Sequence, residues 1–119
     1  MAAKNSLSGA FFRAALRSRP LHSSHLLAVH YLTQARASEL GLVLPFDSGL
    51  GLIIGKRFAK RAVWRHAIKR QIRESYRLTQ PADGFWVVRL RASVAPWSRS
   101  KKRQVRQEID DIMRANKVD

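Results

Sequence analysis

The chain has no cysteine and few acidic residues, and each shortage limits what it can be. Without a thiol, the 119 residues can form neither a disulfide framework nor a thiolate metal site, so a reducing, cytoplasmic setting is expected. No apolar run approaches the roughly 20 residues that a membrane-spanning helix needs, so no membrane partner is expected. Only 8 residues are Asp or Glu against 23 Lys or Arg, a formal net charge of +15. Such a one-sided balance is typical of proteins that bind nucleic acid.

The composition also argues against a disordered basic tail. Hydrophobic residues make up 45% of the chain, and its aromatic residues are spread along it. A chain of this size can bury one ordinary core, so we expect one domain over residues 1–119, with residues 1–7 flexible. Residues 1–38 contain no acid, as in a mitochondrial transit peptide. The apolar run from Leu26 to Val29 favours instead a basic first helix followed by a strand.

Hydrophobic periodicity predicts the element order α-β-β-β-α-β-α, a two-layer α/β sandwich with a four-stranded sheet. The first helix is expected to end before Pro20, and the last to begin after Ser98 or Ser100. Residues 34–39 are predicted to be a polar connection and residues 57–61 a basic one. The other predicted elements are strands over 24–33, 40–44, 50–55 and 85–90 and a helix over 62–78.

The segment from Gly55 to Leu78 is the most informative part of the sequence. It carries nine basic residues and one acid, Glu74. Like charges four residues apart destabilise an isolated helix by roughly 0.2–0.5 kcal/mol per pair, so a polyanion outside the helix is expected to offset the repulsion. Charge alone does not choose between RNA and DNA. Residues four apart lie one above the other on a helix, which predicts a basic row of Arg61, Arg65, Lys69, Arg73 and Arg77 beside a core-facing row of Trp64, Ile68, Ile72 and Tyr76.

No residue pattern indicates a catalytic or metal site. Among the acids only Glu108, Asp110 and Asp111 cluster, and Arg106 and Arg114 lie within i,i+4 reach of them, which favours ion pairing over magnesium binding. The four histidines have no partner cysteine, and no glycine-rich loop followed by Lys-Ser/Thr is present. The expectation is therefore a binding protein with no catalytic residue, no metal ligand, no cofactor of its own and no small-molecule substrate.

The basic segment resembles the signature of a known family. The string GLIIGKR at residues 51–57, followed by AVWRHAIKRQIRESYR at residues 62–77, is similar without a gap to the signature of the bacterial ribonuclease P protein subunit. Weaker similarity extends over nearly the whole chain. The family has Arg-Asn-Arg where this chain has Arg65-His66-Ala67. One cation and its planar donor fork are therefore missing at Ala67.

The resemblance implies a non-catalytic subunit that assists a large catalytic RNA. That RNA supplies the Mg²⁺ sites which hydrolyse precursor tRNA at the start of the mature sequence. The family fold, shared with a ribosomal protein domain, has a left-handed β-α-β crossover through the basic helix, although about 98% of such crossovers are right-handed. The positions that the resemblance assigns to contacts with the catalytic RNA are Lys56, Arg57, Lys60, Arg61, Arg65, His66, Lys69, Arg70 and Arg73.

The resemblance also implies a cleft between the first helix and the sheet that holds the single-stranded 5′ leader of precursor tRNA. The matching positions are Phe12, Leu16, Leu27 and His30. The rings of Phe12 and His30 would stack on unpaired bases, worth about 1–3 kcal/mol per base. Core packing is the alternative role for Phe12. Two other functions remain open: a basic ribosomal or RNA-assembly protein without a role in cleavage, and a metal nuclease acting alone.

Overall fold

Four helices and four strands form over residues 2–116, the part of the chain that the structure, a computed structural model, describes; side chains are described from Gly9 onward. The mixed α/β class with a four-stranded sheet is confirmed. The predicted flexibility of residues 1–7 stays a prediction, because Met1 and the side chains of residues 2–8 lie outside the described part. In chain order the elements are α1 (Ala2–Arg17), β1 (His22–Ser23), β2 (Leu27–Leu32), α2 (Gln34–Glu39), β3 (Ser48–Ile53), α3 (Ala62–Thr79), β4 (Gly84–Leu90) and α4 (Arg99–Ala115).

The sheet has the strand order β1-β2-β4-β3. β2 is antiparallel to both β1 and β4, whereas β3 is parallel to β4. Parallel neighbours cannot be joined by a tight turn, so the chain must cross the sheet between them, and α3 makes that crossover. The basic helix is therefore part of the scaffold rather than an appendage. The hand of the crossover stays a prediction.

Two predicted segments are wrong. Residues 34–39 form α2, not a connection, because the Thr33 hydroxyl caps the helix by accepting the Arg36 N–H. Residues 40–44 form a loop, not a strand, with Leu44 buried but Val43 81% exposed. The missing strand is supplied by β1, a two-residue segment not foreseen from the sequence, in which His22 pairs with Val29.

The two faces of the sheet are covered by different helices. Alternate residues of a strand point to opposite faces. On one face Leu27, Val29, Trp86 and Val88 pack with α3 and α4 in the larger core. On the other, a smaller cluster joins Leu32, Phe85 and Val87 to Phe11 and Ala15 of α1. The larger core fixes α3, and α1 adds partial cover on the far side.

Helices α3 and α4 run side by side in the same direction. The residue numbers increase along both helices from one contact to the next. Gln71 Nε2 donates to the Lys102 carbonyl, Arg106 donates to Glu74, and Ser75 Oγ donates to Asp110. The amino-terminal ends of both helices consequently lie at the same edge of the molecule.

Candidate nucleic-acid interface

The two rows predicted for α3 are separated as expected. Ile68 and Ile72 are fully buried, and Trp64 and Tyr76 pack partly buried against the same core. In the basic row Arg61, Arg73 and Arg77 are exposed, whereas Arg65 and Lys69 are half-buried. Because the apolar row is fixed by the core, the basic row is held outward on a rigid element.

Arg65 shapes the connection that precedes α3. Its Nη1 donates to the carbonyl oxygens of Ala59 at 2.8 Å and Lys60 at 2.9 Å. Ala59 is fully buried, so this side chain clamps the connection onto the first turn of the helix. Lys56, Arg57, Lys60 and Arg61 stay exposed on the clamped segment. Arg65 thus positions other cations, and its own contact with RNA stays a prediction.

The acids with described side chains leave the cations of this surface without an ion-pair partner. Glu74, the acid on α3, binds Arg106 of α4 at 2.9 Å, and Arg106 also binds Asp110 at 3.0 Å. The hydrogen bond with Glu74, supported by Asp110 and opposed by partial burial, raises the pKa of Arg106. Among the residues with described side chains, ion pairs involve Arg36, Arg106 and Arg114, and none of the cations assigned to the catalytic RNA.

Sequence reasoning missed a second group of cations at the start of α4. The first turn of α4 has no acid, and it lies at the same edge as the start of α3. The rings of Trp64 and Trp97 stand 6.5 Å apart between the two helix starts. The positive ends of two helix dipoles therefore coincide with side-chain charge. The signal was present in the sequence as the basic run of Arg99, Lys101, Lys102 and Arg103.

Phe12 and Leu16 lie on α1 where it crosses the smaller core. The Phe12 ring meets Phe85 edge-on at 5.3 Å. It also covers Gly51, where an added Cβ would stand 2.4 Å from Phe12 Cζ. Only a glycine lets the ring approach the sheet this closely. Phe12 is half-buried and Leu16 is exposed, so both border open surface.

The two strand residues assigned to the leader cleft do not line it as predicted. Leu27 lies on the opposite face of the sheet, fully buried in the core with α3 and α4, so its assignment is wrong. His30 is on the α1 face but only 2% exposed. Its Nδ1 lies 3.2 Å from the Ser18 carbonyl oxygen, and its Nε2 accepts from Arg89 Nε at 3.1 Å. A ring enclosed in this way offers no face to a base, so the stacking role of His30 is also wrong.

Ile53 and Arg89 border the open part of the α1 face and were not foreseen. Arg89 pairs with Ala28 of β2 on one side and with Ile53 of β3 on the other, so the three side chains share one row. Ile53 is 36% exposed and Arg89 is half-buried. This row places a cation on the α1 face of the sheet. Its sequence signal was one arginine within the apolar run of β4.

The acids of α4 form hydrogen bonds with nearby groups of the chain. Glu108 accepts from the Leu26 N–H and from the Ser24 hydroxyl, and Asp111 accepts from Gln107. Within residues 2–116 no three acidic, histidine or cysteine side chains are placed to share a metal ion. None of the helices described there is long and apolar enough to cross a bilayer. The cluster's predicted role in ion pairing is confirmed for Asp110.

Comparisons with known proteins agree with one another. The family model described as Ribonuclease P matches residues 2–117. A protein named ribonuclease P protein component from Bordetella parapertussis is 41% identical over 103 residues, covering 83% of this chain and 80% of that protein. The protein of the same name from Ralstonia pickettii is 47% identical over 107 residues, covering 85% and 70%.

Two solved structures show the same fold. The RNase P protein from Thermotoga maritima matches with a TM-score of 0.64 at 18% identity, over 87% of this chain and 89% of that one. The RNase P protein of Staphylococcus aureus matches with a TM-score of 0.63 at 18% identity, over 90% and 88%. At this level of identity the likeness concerns the arrangement of helices and strands.

Proposed function

This chain belongs to the ribonuclease P protein family, and we propose that it is the non-catalytic subunit that binds the catalytic RNA and the 5′ leader of precursor tRNA. Ribonuclease P is a tRNA-processing endoribonuclease. The observation that carries the proposal is the unmasked basic face of α3 and of the connection before it, held outward by the buried row of Ile68 and Ile72.

The basic face fits the backbone of folded RNA. Helical RNA hides its base edges in a deep, narrow groove and is met through phosphates, 2′-hydroxyls and shape. Exposed His66, Arg70, Arg73 and Arg77 border one shallow depression along α3, together with Glu74, whose carboxylate pairs with Arg106. The four donors are spaced along the helix, as contacts with successive phosphates of an RNA backbone require. Ala67 removes a cation that the family has here. The cations at the start of α4 add charge at the same edge of the molecule.

The α1 face fits single-stranded RNA. Phe12 and Leu16 supply apolar surface from the helix, Ile53 supplies it from β3, and Arg89 supplies one cation. Aromatic stacking with a nearby cation is the sequence-tolerant way to bind an unpaired strand, as a leader of varying sequence requires.

The protein contributes binding rather than bond cleavage. Hydrolysis of the phosphodiester is assigned to Mg²⁺ held by the partner RNA, which can activate water and stabilise the leaving oxygen. Cations on α3 neutralise RNA phosphates and so reduce the Mg²⁺ that the RNA needs for folding and substrate binding.

Reconstitution tests the proposal. Adding the chain to a bacterial ribonuclease P RNA should restore cleavage of precursor tRNA at a low Mg²⁺ concentration at which the RNA alone is nearly inactive. The product should carry the mature 5′ end. Absence of any gain in cleavage would remove the proposal, and selective binding to ribosomal RNA instead would favour the ribosomal alternative.

Changing Phe12 to Ala should selectively weaken the binding of substrates that carry a long 5′ leader. Loss of one stacked base, worth about 1–3 kcal/mol, corresponds to roughly 5- to 150-fold weaker binding of such a substrate to the holoenzyme. Phe12→Leu is the matched control. It keeps apolar cover over Gly51 but has no aromatic face, so it separates the loss of stacking from the loss of packing. Dissociation constants for long-leader and leaderless tRNA separate the roles. Equal losses for both substrates would return Phe12 to the core.

A further inference from the structure

His30 joins the end of α1 to Arg89 through both of its ring nitrogens. Nδ1 lies 3.2 Å from the Ser18 carbonyl oxygen, just past the last residue of α1, and Nε2 lies 3.1 Å from Arg89 Nε. Because His30 pairs with Val87, it is a diagonal neighbour of Arg89 across the two strands. The ring is buried, so these two contacts hold it in place.

The partners fix which nitrogen carries the proton. A guanidinium group has only donors, so His30 Nε2 must accept from Arg89 with its lone pair. The proton of the neutral ring then sits on Nδ1 and is donated to the Ser18 carbonyl. A protonated ring has no lone pair left and cannot accept from Arg89.

Arg89 keeps most of its donors available. Among the described residues its hydrogen bond to His30 uses Nε, and no carboxylate pairs with it there. The guanidinium stands in the same row as the partly exposed Ile53, at the open part of the α1 face. A guanidinium fork held in one orientation is well suited to bidentate binding of a phosphate.

We propose that His30 is a positioning residue that holds Arg89 by accepting from its Nε, so that the Arg89 fork binds a backbone phosphate of the 5′ leader. This inference rests on the proposed function, since the leader is the single-stranded RNA assigned to this face. It gives His30 a different role from base stacking, and it gives the cleft a defined cationic contact.

The surroundings of His30 make this contact sensitive to pH. The groups that face it are the carbonyls of Ala15 and Ser18 from α1 and the Arg89 cation from β4. The two residues of β1 pair with Val29 and Ala28, so neither lies directly opposite His30. Burial, and then the charge of Arg89, lower the pKa of His30 below its ordinary 6.5. The ring is therefore neutral at pH 7. Acidification through the lowered pKa protonates it, removes the acceptor and sets two cations against each other.

The test measures holoenzyme affinity for long-leader and leaderless precursor tRNA. His30→Leu has no acceptor at this position. It should weaken binding of the long-leader substrate by roughly tenfold or more, the usual contribution of one charged hydrogen bond. The affinity for leaderless tRNA should be unchanged. His30→Gln retains an acceptor and should restore most of the affinity. Arg89→Gln should match His30→Leu, and the double variant should lose no more than either single variant, because the two residues act as one unit.

Two measurements remain decisive if His30→Leu fails to fold. The leader-dependent part of the affinity of the unaltered holoenzyme should fall on acidification below pH 6.5, and His30→Gln should abolish that fall. Nitrogen NMR of the unaltered chain should show His30 protonated at Nδ1. Additive losses, a pH-independent leader effect or protonation at Nε2 would overturn the inference. A chain that stimulates no cleavage with any leader would instead overturn the proposed function.

Discussion

Replacing Arg70 and Arg73 together by Gln should weaken binding to a ribonuclease P RNA by about a hundredfold or more, since each of the two charged hydrogen bonds contributes about 1.5–3 kcal/mol. Both side chains are exposed on α3, and neither has an ion-pair partner among the described residues. Their loss should remove the proposed RNA contacts without breaking a hydrogen bond or ion pair of the described side chains. Arg65 is a poorer target, because it also holds the carbonyls of Ala59 and Lys60.

The salt dependence of this variant is the sharper readout. Each lost phosphate contact should reduce the slope of log affinity against log salt by about 0.9, so the slope should flatten by nearly two units. Arg36→Gln with Arg114→Gln is the matched control: it removes the same net charge from cations paired with Glu39 and Asp110. Equal losses in both double variants would show that net charge matters, rather than the surface on α3.

Replacing Trp86 by Ala should lower the free energy of unfolding by about 3–5 kcal/mol, the usual cost of emptying a large buried aromatic site. Trp86 is fully buried on β4, stacks on Tyr31 at 4.1 Å between ring centroids and donates from Nε1 to the Ala82 carbonyl at 2.7 Å. Domains are stable by only about 5–15 kcal/mol in total, so this one change removes a large part of the stability.

Urea unfolding followed by circular dichroism checks this value. Trp97→Ala is the control. Because Trp97 is only half-buried, its replacement should lower the free energy of unfolding by less than the replacement of Trp86. A similar loss at both positions would mean that the larger core does not depend on Trp86. A Trp86→Ala variant whose free energy of unfolding is unchanged would contradict the arrangement of the sheet against α3 and α4.

The helices were predictable where the signal is local. The spacing of Ile68, Ile72 and the basic row is a property of one helix, so it survives folding unchanged. The face of the sheet on which Leu27 lies was not predictable. β2 is buried on both faces, so its sequence does not alternate between apolar and polar residues. Misplacing the pattern by one residue turns every side chain of a strand to the wrong face.

The role of His30 depends on distant parts of the chain. Its partners are the end of α1 and Arg89, a residue 59 positions away, and both are set by strand pairing and helix docking. No local pattern distinguishes an exposed histidine ring from one enclosed in this way. α2 shows the opposite case: Thr33 is a residue type that caps helices, so a local signal was present, but the polar composition of residues 34–39 alone had indicated a connection.

The RNA that copurifies with the chain from the cells that produce it tests the central claim most directly. A basic face mounted on a rigid scaffold to bind one ribozyme predicts a single discrete RNA that cleaves precursor tRNA with Mg²⁺. That RNA should be lost from the Arg70→Gln, Arg73→Gln variant and kept by the Arg36→Gln, Arg114→Gln variant. Recovery of ribosomal RNA instead, or equal recovery of the same RNA by both variants, would contradict the account.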